Sequence, residues 1–196
     1  MFVKNGRAHS PDDLIVEPVQ AAAAASEPAA RQAMLGLSHT IAHRPESAVQ
    51  ALVDCAMRLT GAGSAGVSLE DSEGGEPVFR WIATSGEFAR HQHGTMPRHF
   101  SPCGLVVDRG RALVMREPAR HYEYMTQMDT KVATALLAPF SRGGRPVGTL
   151  WVVAHRPDKR FTTGDARIVQ DLTTFVTAIL DAMQGRQPAV SGAPAK

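Results

Sequence analysis

The sequence predicts an α+β fold whose central sheet is antiparallel. Two apolar segments, residues 133–141 and 147–155, are joined by a short turn that contains Gly143 and Gly144. A glycine pair supplies the positive φ angles that a tight β-hairpin needs. Apolar residues occur on both faces of the two segments, which predicts that further layers cover both sides of the sheet. Because hairpins, and not regular helical crossovers, connect the strands, the sheet is expected to be antiparallel.

Three more segments complete a predicted sheet of five or six strands. Residues 64–70 alternate in polarity as a strand does, and residues 78–84 are apolar on both faces. A turn rich in Ser, Glu and Gly separates these two segments. Residues 112–115 form a short strand, and residues 118–129 after it are predicted to be an irregular excursion.

Helical patterns precede and follow these strands. Apolar side chains recur at helical spacing over residues 46–60 and 163–183, and we expect these two helices to lie together on one face of the sheet. The pattern Thr-Thr-Gly-Asp at residues 162–165 is typical of a capping box. Ser101, followed by a proline, is the predicted cap of a short helix that runs to Gly110.

Length and composition predict one domain between two tails. The domain with its preceding N-terminal helix is expected at residues 27–184, between flexible tails at 1–26 and 185–196. A formal net charge of +2 gives no reason to expect binding to nucleic acid or to a membrane surface. The chain has neither a run of about 20 apolar residues nor the apolar stretch of a signal peptide, so a cytoplasmic location is expected.

Three stretches in a fixed order carry a family resemblance. They are Phe-Ser-Pro-Cys-Gly-Leu-Val-Val-Asp-Arg-Gly at residues 100–110, Leu-Ala-Pro-Phe at 137–140 with Gly-Arg-Pro-Val-Gly-Thr-Leu-Trp at 144–151, and Phe-Thr-Thr-Gly-Asp at 161–165. Over residues 45–183 the chain resembles the GAF family of sensor domains. The Ser-Pro-Cys-Gly variant is similar to GAF modules of bacterial sensor histidine kinases.

The resemblance implies a small-molecule or interaction pocket on one face of the sheet, under a roof formed by residues 87–129. It also implies signal transduction through a homodimer of terminal helices, with a sensor kinase or another signalling protein as partner. The identity of the ligand and of any cofactor stays unknown. The residues expected to bind the ligand combine aromatic rings with polar or small side chains, and they are Trp81, Phe100, Ser101, Cys103, His121, Tyr122, Tyr124, Leu136 and Trp151.

The apolar pattern of the last helix supports the dimer prediction. One stripe includes Val169 and Val176, and a second includes Ile168 and Phe175, so the apolar surface is wider than one sheet face requires. Such an excess forms an exposed patch unless a partner covers it, and a symmetric dimer would do so. The alternative is that the first helix folds back and covers the patch within its own chain.

Cys103 and four nearby histidines are the candidates for chemistry. Cys103 lies at a predicted helix start, where the helix dipole lowers the pKa of a thiol. A thiol redox sensor is therefore one alternative, although a packing role is favoured. The histidines His91, His93, His99 and His121 show none of the spacings typical of zinc sites, so no metal is predicted.

The sequence supports an enzymatic function less well than a sensing function. Some GAF relatives reduce free methionine sulfoxide with several cysteines around the pocket, whereas this chain offers one there. Bilin-binding relatives have a histidine after the cysteine, where this chain has Gly104. The sequence also lacks a nucleophile elbow, a P-loop and a dinucleotide fingerprint. A noncatalytic sensor is therefore predicted, and an interaction or dimerisation module with an empty pocket is the other alternative.

Overall fold

A computed structural model describes residues 10–19 and 27–184, and these form an antiparallel sheet with helices on one face. The strands are β1 Ile15–Val16, β2 Ser64–Glu73, β3 Glu76–Gly86, β4 Thr95–Pro97, β5 Leu113–Arg116, β6 Thr134–Arg142 and β7 Arg145–Ala154. Every pair of neighbouring strands is antiparallel, and the strand order is β1-β5-β6-β7-β2-β3-β4. The helices are α1 Glu27–His43, α2 Pro45–Thr60, α3 Pro102–Arg109 and α4 Thr163–Gln184.

Two glycine-pair hairpins build the centre of the sheet, one where the sequence predicts a tight hairpin and the other where it predicts a turn. Gly74 and Gly75 join β2 to β3 with φ angles of 60° and 87°. Gly143 and Gly144 join β6 to β7 with φ angles of 57° and 79°. Positive φ at both central positions gives a turn whose twist matches that of the strands. Pairing of β2 with β7 then places the two hairpins side by side.

The sheet has seven strands instead of five or six, and the two additional ones are short. One of them, β4, lies within the roof and pairs with β3. The other, β1, lies in the segment that was expected to be a flexible tail, and it pairs with β5. Strands of two or three residues have too few positions to show a periodic pattern. Their place is set by the edges they cover, since an uncovered edge strand exposes unpaired backbone groups.

Residues 10–19 correct the prediction that the whole of 1–26 is a flexible tail. Leu14 is buried, and Arg109 forms an ion pair of 2.7 Å with Asp12. Val19 exchanges backbone hydrogen bonds with Phe161 and Thr163 at 2.9 and 3.1 Å. The rest of that tail and the predicted tail 185–196 lie outside the described residues.

The helix layer contains the larger of the two main apolar cores. Here α2 and α4 pack against one face of the sheet, which confirms the predicted placement of residues 46–60 and 163–183. The helix α1 packs mainly on α2. Asp165 and Thr162 exchange hydrogen bonds through side chain and backbone at 2.8 and 3.1 Å, so the capping box is present. None of the helices in the described ranges is both long and apolar enough to cross a bilayer.

Candidate functional site

The opposite face of the sheet carries a small apolar cavity beneath the roof. Its floor is formed by residues of the central strands: Trp81, Ala135, Leu137, Trp151 and Val153. Its cover is formed by Val132, which lies between the roof and β6, and by seven residues of the roof: Phe88, Met96, Pro102, Cys103, Tyr124, Met125 and Met128. The cavity has a volume of about 40 Å³. That is room for a water-sized group, since ligand pockets usually measure about 300–1,000 Å³.

A larger outer groove lies next to this cavity. The groove has a volume of about 490 Å³, and Arg90, His91 and Asp129 are among its lining residues. Trp81, Met96, Tyr124 and Met128 line both spaces. These four side chains therefore separate the groove from the cavity, and a shift of the two flexible methionines would join them.

Two polar groups of the cavity lining have no hydrogen-bond partner among the described residues. They are the indole Nε1 of Trp81 and the hydroxyl of Tyr124, and both atoms are buried. The side chain of Trp81 is only 7% exposed. Burial raises the pKa of Tyr124 well above its ordinary value, so its hydroxyl stays protonated and can donate. Buried polar groups in proteins are nearly always paired, so these two atoms, which are covered as the lining stands, each lack a partner.

The second tryptophan of the cavity is fully paired. Its Nε1 donates to the Ser68 hydroxyl at 2.9 Å. The Cys103 thiol donates to the same hydroxyl at 3.6 Å and accepts from Thr149 Oγ1 at 3.1 Å. This buried chain holds Trp151 and Cys103 in place beside the cavity. The two tryptophans therefore differ, since only Trp81 has an uncommitted donor.

The environment of Cys103 opposes thiolate formation. Burial raises the pKa of the Cys103 thiol, and this outweighs the lowering by its two hydroxyl partners. The sequence-based expectation of a pKa lowered by the helix start is therefore wrong, because the side chain is 2% exposed. Cys55 lies in the helix-side core, on the other side of the sheet, and burial also raises the pKa of its thiol. Neither thiol meets the conditions for a reactive cysteine.

Glycines allow the aromatic floor to pack closely. Gly66 of β2 lies directly opposite Trp151 of β7. A Cβ atom on Gly66 would lie 2.2 Å from Cζ2 of the Trp151 ring, well inside contact distance. A Cβ atom on Gly104 of α3 would similarly lie 2.0 Å from the Arg98 carbonyl oxygen. The first glycine fixes the position of the indole, and the second brings α3 against the preceding segment.

The structure brings four of the nine predicted ligand-binding residues to the cavity: Trp81, Cys103, Tyr124 and Trp151. Leu136 is a correction, because it is buried in the helix-side core. Side chains alternate along a strand, so its neighbours Ala135 and Leu137 face the cavity instead. Ser101 does not line the cavity either. It caps α3 by accepting a hydrogen bond from the Gly104 amide at 3.1 Å.

The remaining predicted residues form an aromatic cluster behind Tyr124. The ring of Phe100 lies 5.3 Å from those of His121 and Tyr122 and 6.3 Å from that of Tyr124, between centroids. Phe100 is 44% exposed, whereas Tyr122 is buried against Leu14. Burial raises the pKa of Tyr122 to about 12. These rings position Tyr124 from outside and do not contact the cavity.

Sequence reasoning missed the methionines and Phe88. Met96, Met125 and Met128 all line the cavity, in a segment with little regular structure. Three methionines in an otherwise polar, irregular stretch are a usable signal, because this flexible side chain adapts to variable binding surfaces. Phe88 gave no such signal, since a single apolar residue after a strand has many possible roles.

The roof is tied to the sheet through Ser64 and His155, which we call the roof anchor. Ser64 Oγ accepts a hydrogen bond of 3.1 Å from the Phe88 amide at the start of the roof. The same hydroxyl lies 2.8 Å from His155 Nε2, and His155 Nδ1 lies 2.8 Å from the Lys131 carbonyl just beyond the roof. Because Lys131 offers only an acceptor, Nδ1 carries the proton and Ser64 donates to Nε2. The start of the roof is thus bonded to Ser64 and the segment just after it to His155, and these two side chains are bonded to each other.

Ion pairs hold the roof at its other side. Arg98 Nε donates to Glu70 Oε1 at 2.6 Å, and Arg98 Nη2 donates to Asp108 Oδ1 at 2.7 Å. Arg145 donates to the second oxygen of Glu70 at 2.7 Å. This network joins α3 to β2 and to the first residue of β7. The charged groups lie outside the cavity lining.

The histidines noted in the sequence do not converge. His91 lies on the outer groove and His121 in the aromatic cluster. Over residues 10–19 and 27–184 no group of three or more His, Cys, Asp or Glu side chains is arranged to hold a metal ion.

Comparison with known proteins identifies the family. A sequence model of the GAF domain matches residues 42–181, and the chain belongs to the GAF domain family. No protein of curated function matches it in sequence.

Solved structures similar to this chain agree in fold. Free methionine-R-sulfoxide reductase from Neisseria meningitidis has a TM-score of 0.67 at 14% identity, over 87% of this chain and 100% of that one. The GAF domain of an Acinetobacter phosphoenolpyruvate-protein phosphotransferase has a TM-score of 0.66 at 13% identity, over 81% and 96%. The phycoerythrobilin-bound GAF domain of a cyanobacterial phytochrome has a TM-score of 0.64 at 14% identity, over 81% of this chain and 98% of that one.

Proposed function

We propose that this GAF domain is a noncatalytic sensor module that binds a small molecule in the cavity beneath its roof. The observation that carries the proposal is a pair of unpartnered polar groups, Trp81 Nε1 and the Tyr124 hydroxyl, on two residues that line an apolar cavity. A few polar groups in an apolar lining are typical of small-molecule sites. The family association with sensing and signalling proteins supports the same conclusion.

A bound molecule has a short route to the helix layer. In β6, Ala135 and Leu137 contact the cavity side while Leu136 contacts the helices. In β7, Trp151 and Val152 divide in the same way. A ligand that displaces the strands at the cavity therefore displaces residues packed against α2 and α4. We expect a sensor kinase or another signalling protein in the cytoplasm to read this change.

The reductase alternative is less well supported. Reduction of a sulfoxide by a thiolate leaves a sulfenic acid, which a second thiol must condense with to form a disulfide. Cys103 and Cys55 lie in separate cores on opposite faces of the sheet, and burial raises the pKa of both thiols. The likeness to the Neisseria reductase, at 14% identity, is one of fold.

Native mass spectrometry of the full chain purified gently from cells tests the proposal. We expect a mass above 21.0 kDa that returns to the chain mass on denaturation. Ala135→Leu fills the cavity and should remove most of the additional mass. The matched control is Ala42→Leu, because Ala42 is exposed on α1. Wild-type protein without additional mass, and without a response to a small-molecule extract of the same cells, would overturn the proposal.

Fewer exposed apolar residues are available for a dimer of the terminal helices than the sequence predicts. Ile168 and Leu172 are buried against the chain's own core, and Leu37 of α1 is 4% exposed. A homodimer through this face would rest on Leu35 and Met183, which are 63% and 39% exposed. Light scattering of the wild type and of Leu35→Glu with Met183→Glu tests it. A wild type that is monomeric at micromolar concentration removes the dimer.

A further inference from the structure

We infer that the cavity takes an uncharged aromatic molecule that carries a hydrogen-bond acceptor. This inference rests on the proposed function and names the chemical class of its ligand. Its first support is the lining of the cavity, which includes no Asp, Glu, Lys, Arg or His side chain. A carboxylate or phosphate buried there would lose its hydration without gaining a partner of opposite charge. The charged side chains of this region, Arg90 and Asp129, lie on the outer groove.

The rings of the cavity favour a flat apolar ligand. The centroid of the Trp81 ring lies 5.5 Å from that of Trp151 and 5.7 Å from that of Phe88. Phe88 and Trp151 are 6.0 Å apart and nearly perpendicular. Three rings in mutual contact present faces and edges against which another aromatic ring packs well.

The methionines supply the space that such a ring needs. The present volume of about 40 Å³ is too small for a six-membered ring. Met96 and Met128 separate the cavity from the larger groove, and both are partly exposed. Methionine has three rotatable bonds and repacks at low cost, so these two can move outward around a ligand. The cavity can thus change in size, while its lining stays without charged side chains.

The uncommitted polar groups specify the acceptor. Trp81 Nε1 is a donor only, and it needs a ligand oxygen or nitrogen with a free lone pair. The protonated Tyr124 hydroxyl can donate to the same kind of atom or accept from a ligand hydroxyl. A quaternary ammonium, which aromatic cages also bind, would leave the indole donor without a partner. The two donors therefore favour a neutral ketone, aldehyde or phenol.

Four matched probes test the class on the full chain. Acetophenone has the ring and a carbonyl acceptor, ethylbenzene has the ring alone, benzoate replaces the carbonyl group by a charge, and tetramethylammonium is the cation. Because the chain has two tryptophans, nuclear magnetic resonance shows two indole N–H signals, which Trp151→Phe assigns. We expect acetophenone to bind about tenfold more tightly than ethylbenzene and to shift the Trp81 signal. Benzoate and tetramethylammonium should not bind at millimolar concentration.

The variant Trp81→Phe separates the ring from its donor. It should keep ethylbenzene binding and reduce the advantage of acetophenone, because only the Tyr124 hydroxyl remains to donate, while Trp151→Phe should keep that advantage in full. If either variant fails to fold, the order of the four probes on the wild type still decides. Tighter binding of benzoate or tetramethylammonium than of acetophenone overturns the ligand class and leaves the sensor proposal intact. If none of the four probes binds but native mass spectrometry shows a retained molecule, the ligand class is again overturned and the sensor proposal stands. Absence of both binding and retained mass overturns the sensor proposal itself.

Discussion

The two faces of the sheet differ in how they are covered, although the same strands supply both. The helix face is covered by α2 and α4, and its central residues, such as Leu52, Leu136 and Leu172, are fully buried. The roof face is covered by short 3₁₀ turns, one short helix and connecting segments, with methionines and two unpaired polar groups. A face with regular packing gives stability, whereas a face with adaptable packing can open for a ligand at small cost.

The largest effect is expected on the helix face. Leu172→Ala should lower the free energy of unfolding by about 2–5 kcal/mol, because it leaves a cavity among fully buried neighbours. Leu35→Ala on exposed α1 is the matched control and should change it by less than about 0.5 kcal/mol. Denaturation with urea measures both. Equal losses for the two variants would contradict the account of this face as the main source of stability.

The next effect concerns the roof anchor. Ser64→Ala removes the acceptor of the Phe88 amide and the donor to His155. It should lower the free energy of unfolding by about 1–3 kcal/mol. Hydrogen exchange should speed up at residues 87–129 more than in α2 and α4, because the start of the roof loses its bond to the sheet and His155, which holds the other end, loses its Ser64 partner. The control Ser38→Ala removes only an exposed bond within α1. Equal acceleration across the whole chain would show that the anchor stabilises the fold and not the roof.

A pair of glycine variants should change stability in opposite directions. Gly66→Ala places a methyl group against the Trp151 ring and should destabilise by about 1–3 kcal/mol, with a shift of the Trp151 indole signal. Gly36→Ala lies within α1 with nothing within 4 Å of the new Cβ. It should stabilise by about 1 kcal/mol, because alanine favours a helix over glycine. A neutral Gly66→Ala variant would mean that the aromatic floor is loosely packed.

The smallest effect is a dependence on pH. Burial raises the pKa of the Cys103 thiol above its ordinary value of 9.0, so the folded thiol keeps its proton where the unfolded thiol loses it. Stability from this group is complete below that value and is lost as pH rises above it, by at most about 1.4 kcal/mol per pH unit. The decline should be shallower in Cys103→Ala, by calorimetry at pH 8–10. A parallel decline in both proteins would assign the effect to Cys55 and the tyrosines.

Part of the candidate site could be predicted from the sequence, and particular residues show which parts could not. Trp81, Tyr124 and Trp151 were predicted because large rings with polar tips suit a small-ligand site. Leu136 was misplaced by one position, since strand periodicity gives two faces without saying which is covered by helices. Met96, Met125 and Met128 lie in segments without a repeating pattern, and their convergence depends on how the roof folds back over the sheet.

The sequence by itself determined the regular elements of this protein. A glycine pair and a turn-rich segment set two hairpins, and short apolar segments, one of them alternating, set the central strands. Helical spacing with a capping box set the flanking helices. Each of these signals is local. The motif order was enough for the family. Only the tertiary structure decided that Ser64 and His155 hold both ends of the roof. It also decided that Cys103 is a buried protonated thiol and that Trp81 keeps a free donor. Burial and hydrogen-bond pairing depend on groups distant in the chain, and no local pattern encodes them.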